Sequence, residues 1–339
     1  MTEQKTNIRK TFNYLIRALI IMVTYGFIYH QVFVERKLHE IPGVFTRVME
    51  RGQTLWLMIL ILILMLINWS IESVKWKLLI AKIERVSFIR AFQAVMTGVS
   101  VSIFTPNRTG DYLGRVFILE KGNHLEGIFI TLIGSFAQIV VTFSVGLFCS
   151  LSFLDHYLRV TYQVQEYIFT SLIFLIPCLV FMILFFYFNI GILSDFISRF
   201  IPRKWERLVE YTHVFARYSS KELFGVLLLS LLRYLIFSTQ FFLLLRIFGA
   251  DLPVGQGMIL IPVIYLAMAM VPTVALIELG IRGSVSIFVI GLYFSKFGIG
   301  NADTELAILT ASTVLWFVNL IIPAILGTFF VFSLKFFRR

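Results

Sequence analysis

Thr105-Pro106-Asn107-Arg108-Thr109-Gly110-Asp111-Tyr112-Leu113-Gly114-Arg115 interrupts an apolar stretch of this 339-residue chain. Its order is proline, an acid, then arginine four residues on, with glycine between acid and arginine. The order returns in Val271-Pro272-Thr273-Val274-Ala275-Leu276-Ile277-Glu278-Leu279-Gly280-Ile281-Arg282. Asp111 and Glu278, like Arg115 and Arg282, are separated by 167 residues (278 − 111 and 282 − 115). Charges, glycine and proline at membrane depth are costly unless they are buried in protein or line a cavity. A matched pair of Gly/Pro-broken apolar segments, one in each half of a chain, points to a transporter's binding region.

The surrounding composition is that of a membrane protein. Hydrophobic residues make up 58% of the chain and charged ones 14%. This predicts an all-α polytopic integral membrane protein with a single membrane domain. The net charge is +11, from 30 Lys and Arg against 19 Asp and Glu. Most of that excess reads as topology charge on the cytoplasmic side, and a share is available to anionic lipid head groups. No basic run sits in a soluble domain of its own, so nucleic acid is not an expected partner. Cys149 and Cys178 lie in apolar runs, the five histidines are scattered, and no metal-ligand spacing or cofactor motif appears. Met1–Lys10 is polar and the apolar span after it lacks a small-residue cleavage site, so no cleavable signal is expected.

Six full spans are expected, near Phe12–Tyr29, Thr54–Leu79, Gly127–Leu154, Tyr167–Ile192 (with Pro177 inside), Glu222–Arg246 and Glu305–Phe332. The broken segments are shorter: Phe88–Phe104 with Gly110–Lys121, and Gly257–Val271 with Gly283–Phe297. Lys75, Trp76, Lys77, Lys82, Arg85 and Arg90 read as an interfacial anchor at the exit of the second span. Residues 194–221 carry six basic residues and read as a cytoplasmic amphipathic linker.

The positive-inside rule places both termini, the loop after the second span and the linker in the cytoplasm. The full spans then alternate correctly only if each broken segment is a re-entrant hairpin that enters and leaves on one side. The first hairpin opens to the cytoplasm and the second to the outside. Residues 12–154 thus form one repeat, and 155–193 with 222–335 form a second of inverted orientation. The basic residues Arg36, Lys37, Arg47 and Arg51 in the proposed outer loop count against this topology. The alternative is about ten full spans, which also keeps both termini inside.

Pro106, Gly110, Gly114, Pro272, Gly280 and Gly283 are the expected hairpin-shaping residues. The prolines suit a first helical turn, whose freed N–H groups attract an anion. Arg108, Arg115 and Arg282 add charge-assisted donors whose guanidinium matches phosphate. The plainer reading is that Asp111–Arg115 and Glu278–Arg282 neutralise each other as i,i+4 pairs. Arg233, at the centre of a span, is either a functional charge or a partner of Glu72, Asp111 or Glu278. Glu72 reads as interfacial. Gln138, Gln240 and Asn319 read as hydrogen-bonding links between helices. No catalytic signature appears, so the chain is not expected to be an enzyme.

At these motifs the sequence resembles the membrane region of the lysylphosphatidylglycerol synthases, a flippase-like family. The shared residues run from Thr105-Pro106 through Gly110-Asp111 to Gly114-Arg115, and from Pro272 through Glu278-Leu279-Gly280 to Arg282-Gly283. The similarity covers about residues 55–332. Asp111 stands where glutamate is common in the family, which keeps the charge and shortens the reach. The resemblance implies lipid handling in a bacterial cytoplasmic (inner) membrane. The sequence stops at Arg339, soon after the last span, so the synthases' soluble aminoacyl-transfer domain is expected to be absent. The expected substrate is a phospholipid or polyprenyl-linked lipid moved between leaflets. Its head group would lie between the hairpins, against Arg108, Arg115, Arg233 and Arg282, with Asp111 and Glu278 orienting them or meeting a cationic head group or a proton. A membrane scaffold for a lipid- or glycan-modifying enzyme is the first alternative, and an intramembrane enzyme the second.

Overall fold

The computed structural model describes residues 52–103, 105, 108–120, 124–158, 165–192, 213–271, 275–298 and 300–331. The expected first span, the loop before residue 52, Pro106, Pro272, most of the 194–221 linker and the C-terminal basic residues lie outside these.

The described residues form ten α-helices and no strand. They are α1 (Gly52–Ile80), α2 (Phe88–Ser102), α3 (Gly110–Val116), α4 (His124–Phe153), α5 (Glu166–Phe188), α6 (Ser220–Phe248), α7 (Val254–Met270), α8 (Ala275–Lys296), α9 (Ala302–Trp316) and α10 (Ile322–Val331). A π-helical turn extends α4 through Leu158, and another joins α9 to α10. Among the described residues six helical stretches are long and apolar enough to cross a membrane: Thr54–Ile80, His124–Tyr157, Glu166–Phe188, Ser220–Phe248, Glu278–Lys296 and Ala302–Phe330. The chain is an all-helical polytopic membrane protein.

Local chemistry sets several boundaries. Ser87 and Asn301 accept hydrogen bonds from the N–H groups of Arg90 and Thr304, capping α2 and α9. Ser219 and Glu222 form a reciprocal capping box at the start of α6, and Gly249 ends it at φ 96°. Helix α5 is apolar all round and buries few of its side chains, as a helix facing lipid does.

Five helix ends gather at one end of the molecule. Lys82 Nζ meets Glu222 Oε1 at 2.6 Å, and the Tyr218 hydroxyl donates to Leu79 O at 2.7 Å. Arg90 Nη2 reaches Glu120 Oε1 at 2.7 Å, and the Glu120 N–H donates to Glu84 Oε2 at 2.8 Å. Arg217 Nη1 meets Glu126 Oε1 at 2.5 Å. These contacts join the C-terminal ends of α1 and α3 to the N-terminal ends of α2, α4 and α6. At the far end of α4, the Tyr157 hydroxyl donates to Gln256 Oε1 in the first turn of α7. Lys296 Nζ, closing α8, donates to His156 O at 3.0 Å. The α2–α3 pair therefore opens at one end of α4 and the α7–α8 pair at the other.

Small residues allow close crossings. Gly114 of α3 lies so near Thr97 and Gly98 of α2 that a Cβ there would run into their backbone. Gly146 of α4 sits against Pro262 O and the Leu266 side chain of α7. Gly327 of α10 sits against Met96 O and Ser100 of α2, and Ser100 Oγ donates to Ala324 O at 2.6 Å.

Some expectations are corrected. Lys75 and Trp76 are not an interfacial anchor: each is 1% exposed, and Trp76 Nε1 donates to Thr131 Oγ1 at 3.1 Å. Both face α4 and not the bilayer surface. Helix α8 begins at Ala275, not after Gly283, so Glu278, Gly280, Arg282 and Gly283 are all helical. Its 19-residue stretch from Glu278 to Lys296 is itself long enough to cross. Gln240 does link helices, through Ile61 O at 2.9 Å, as does Gln138 through Ser230 O at 3.4 Å. Asn319 instead donates to Leu315 O of its own turn.

Candidate functional site

The site grows from the spacing of two helices. Asp111 and Arg115 are four residues apart on α3, so their side chains share one face. Arg115 Nε donates to Asp111 Oδ1 at 2.8 Å and Nη2 to Oδ2 at 2.5 Å. Glu278 and Arg282 repeat the spacing on α8, with Arg282 Nη2 donating to Glu278 Oε1 at 2.7 Å. Both expected intrahelical pairs are formed.

Neither pair is isolated. Arg115 Nη1 reaches Glu72 Oε1 of α1 at 2.7 Å. Arg233 Nη1 donates to Glu72 Oε2, and its Nε donates to Asn68 Oδ1 at 3.0 Å. Lys75 Nζ also pairs with Glu72 Oε2, at 2.7 Å. Its remaining donors reach Gly134 O at 3.2 Å and Ser230 Oγ at 3.4 Å. Glu72 is therefore the centre of a buried cluster fed by α1, α3, α4 and α6. The expectation of an interfacial Glu72 is overturned: it is 4% exposed and accepts from three cations. The Arg233 guanidinium also lies over the Trp69 ring, 5.3 Å from its centroid.

The second cluster joins the two motifs. Arg108, between α2 and α3, donates from Nη2 to both carboxylate oxygens of Glu278, at 2.9 and 2.7 Å. Arg108 has φ 57°, the only left-handed non-glycine residue among those described. A bulky residue adopts that conformation only when its surroundings hold it. The Gly110 N–H that opens α3 is taken by Thr105 Oγ1 at 2.7 Å. That donor does not face an anion as the sequence suggested. The donors left unsatisfied are side chains: Arg282 is 9% exposed, and among the described residues its buried Nε and Nη1 have no hydrogen-bond partner.

A family model described as the lysylphosphatidylglycerol synthase TM region matches residues 16–327. The chain belongs to that family. Comparison with curated proteins finds no match, and neither does comparison with solved structures. The family is a membrane region of lipid-handling, flippase-like type, in keeping with the buried charge between apolar helices. Among the described residues no group of three or more His, Cys, Asp or Glu is placed to hold a metal ion.

The structure brings Arg115, Asp111 and Arg233 together around Glu72, and Arg108, Glu278 and Arg282 together across the two motifs. Gly110 and Gly114 pack at the α2–α3 contact, and a Cβ on Gly283 would meet Leu309 Cδ1. A Cβ on Gly280 would meet nothing within 4 Å. Sequence reasoning named Glu72 as a possible partner of Arg233, and that pair is formed, but it missed Glu72 as the centre of the cluster and Lys75 as a member. The signal was present: Asn68, Glu72 and Lys75 recur at helical spacing inside a long apolar span, where a lone charge must find a partner.

Proposed function

We propose that this protein moves a phosphate-bearing lipid between membrane leaflets, holding its head group where the two motifs meet and leaving its tails in the bilayer. The observation that carries this reading is the pair of donors on buried Arg282 that find no partner among the described residues. A guanidinium taken out of water with two nitrogens unsatisfied is costly, and an anionic head group would satisfy them. Arg108, half-exposed beside the same carboxylate, offers a second donor that can turn from Glu278 to a ligand.

On this reading the paired segments are re-entrant hairpins of an inverted repeat. Their opening at opposite ends of α4 supports it, as do the equal 29-residue lengths of α1 and α6. The reciprocal glycine contacts also fit a two-fold relation: the last helix of each half packs on the first broken helix of the other. Moving a head group from one opening to the other requires the Arg108–Glu278 contact to part and re-form. Glu72 and Asp111 hold Arg115 and Arg233 in place while it does.

The test is leaflet exchange of a fluorescent anionic phospholipid in proteoliposomes. Arg282→Gln, purified as a folded protein, is expected to exchange lipid at the rate of empty vesicles. Exchange at the unaltered rate by folded Arg282→Gln removes the proposed site.

A further inference from the structure

Three cations share Glu72, and one of them differs in kind. Arg115 and Arg233 hold their protons at any pH a protein meets, whereas a buried lysine is a residue type that proteins use to take up and release one. Lys75 is 1% exposed, and its ammonium faces three acceptors: Glu72 Oε2 at 2.7 Å, Gly134 O at 3.2 Å and Ser230 Oγ at 3.4 Å. The other charged groups around it are Arg115 with Asp111 on α3, and Arg233 on α6. Helix α4 presents the Gly134 carbonyl and the Gln138 amide, and Arg90 of α2 is held by Glu120 at the end of the molecule. With Lys75 neutral, two arginines face two carboxylates. With Lys75 charged, three cations face the same two acids. The charge of the cluster therefore turns on one proton, the one on Lys75.

A row of polar groups leads away from that proton. Ser230, Tyr234 and Ser238 are four residues apart on α6 and share one face. On α4, Gly134 and Gln138 have the same spacing, and Gln138 Nε2 donates to Ser230 O at 3.4 Å. The buried Gln138 Oε1 and the Tyr234 and Ser238 hydroxyls find no partner among the described residues. Polar atoms left so in a packed interior are those that ordered water satisfies. Ser230 lies ten residues (230 − 220) from the start of α6, about 15 Å along it, so the row runs from mid-depth toward the opposite end.

Helix α3 ties Lys75 to the lipid site. Its Arg115 shares Glu72 with Lys75, and Arg108 just ahead of it shares Glu278 with Arg282. One seven-residue helix, about 10 Å long, joins the two shared carboxylates. An anion brought to Arg282 favours the charged form of a base on the same network, and by linkage the charged base favours the anion.

Resting on the lipid-carrier reading above, we propose that Lys75 is a proton site and that each anionic head group is carried together with one proton held there. The load is then a neutral pair. On release the N–H bond at Nζ breaks and its electron pair stays on the nitrogen. The proton passes by way of Ser230 Oγ to water along Tyr234 and Ser238, and uptake reverses these steps.

The first measurement is proton uptake by the purified full chain in detergent, read with a pH indicator in weak buffer from about pH 6 to about pH 10, just below the ordinary lysine value. Radiolabelled phosphatidylglycerol or phosphatidylcholine of identical acyl chains is added, and bound lipid is counted. The phosphodiester keeps its charge throughout this range. Phosphatidylglycerol is expected to bring up about half a proton per bound lipid at the maximum, as a tenfold linkage produces, and less than about a tenth near pH 6. Folded Lys75→Gln and Lys75→Arg are expected to take up less than about a fifth as much per bound lipid as the unaltered chain. Phosphatidylglycerol bound without proton uptake at any pH, or with uptake that is flat across the range, overturns the proton site and leaves the lipid-carrier reading standing. Full uptake in folded Lys75→Gln overturns the assignment to Lys75, and the pH profile of the unaltered chain decides where neither variant folds or binds. No binding of phosphatidylglycerol at any pH overturns the lipid-carrier reading itself.

The second measurement tests carriage. In sealed proteoliposomes with a difference of about one pH unit, fluorescent phosphatidylglycerol is expected to move at least about threefold faster from the acidic to the alkaline side than in reverse. Equal rates in the two directions overturn the joint carriage of lipid and proton.

Discussion

Arg108 and Glu278 are joined across 170 residues of sequence by a single nitrogen: Arg108 Nη2 donates to both carboxylate oxygens, at 2.9 and 2.7 Å. Glu278 also accepts from Arg282, so one carboxylate serves two arginines from two halves of the chain. That sharing changes what a charge deletion does. If Glu278 and Arg282 were a private pair, removing both would restore neutrality.

Glu278→Gln is therefore expected to destabilise the protein by about 3–5 kcal/mol, the usual cost of leaving a buried charge unpaired. The double change Glu278→Gln with Arg282→Gln recovers only part of this, because Arg108 still lacks its acceptor. Thermal unfolding in detergent of the single and double variants checks it. Complete recovery in the double variant would show that Arg108 contributes nothing to holding the motifs together.

Glu72 is expected to be less tolerant than Asp111. Glu72→Gln strips the acceptor from Lys75, Arg115 and Arg233 at once, at a cost of at least about 3–5 kcal/mol. Asp111→Asn leaves Arg115 its contact with Glu72, and its cost is expected to be smaller, about 1–3 kcal/mol. Measured midpoints in the opposite order would mean that the i,i+4 pair, and not the interhelical cluster, carries the stability.

The glycines divide by what surrounds them. Gly327→Ala drives a methyl into Met96 O and Ser100, and Gly146→Ala into Pro262 O and Leu266, each expected to cost about 1–3 kcal/mol as an overpacked contact. Gly280→Ala and Gly225→Ala meet nothing within 4 Å and are expected to be neutral or to stabilise by up to about 1 kcal/mol through helix propensity. Heating curves of the four variants separate the groups. A marked loss in Gly280→Ala would restore a hairpin-shaping role for that glycine.

Topology is open to labelling. Lys221 and Asp303 are exposed residues at the starts of α6 and α9, near the two opposite ends of α4. Single cysteines at these positions, in a chain with Cys149 and Cys178 replaced by alanine, are expected to react with an impermeant maleimide from opposite sides of the membrane. Reaction of both from one side would remove the inverted-repeat reading.

The amino-acid sequence alone determined the class of this protein and its internal echo. Long, continuous apolar runs select membrane helices, because a helix satisfies its backbone within its own segment, whereas a barrel strand would alternate apolar and polar residues. The acid–arginine spacing on α3 and α8 guarantees the two intrahelical pairs, since residues four apart share a helix face. Only the tertiary structure decided which pair meets which other charge. Sequence spacing does not reveal that Arg108 crosses to Glu278, or that Lys75 turns inward from a run of basic residues that looked interfacial. A buried charge takes its partner from whichever helix packs beside it. That neighbour is fixed by crossings such as Gly98 on Gly114 and Gly327 on Met96, between residues far apart in the chain or separated by the turn at Arg108.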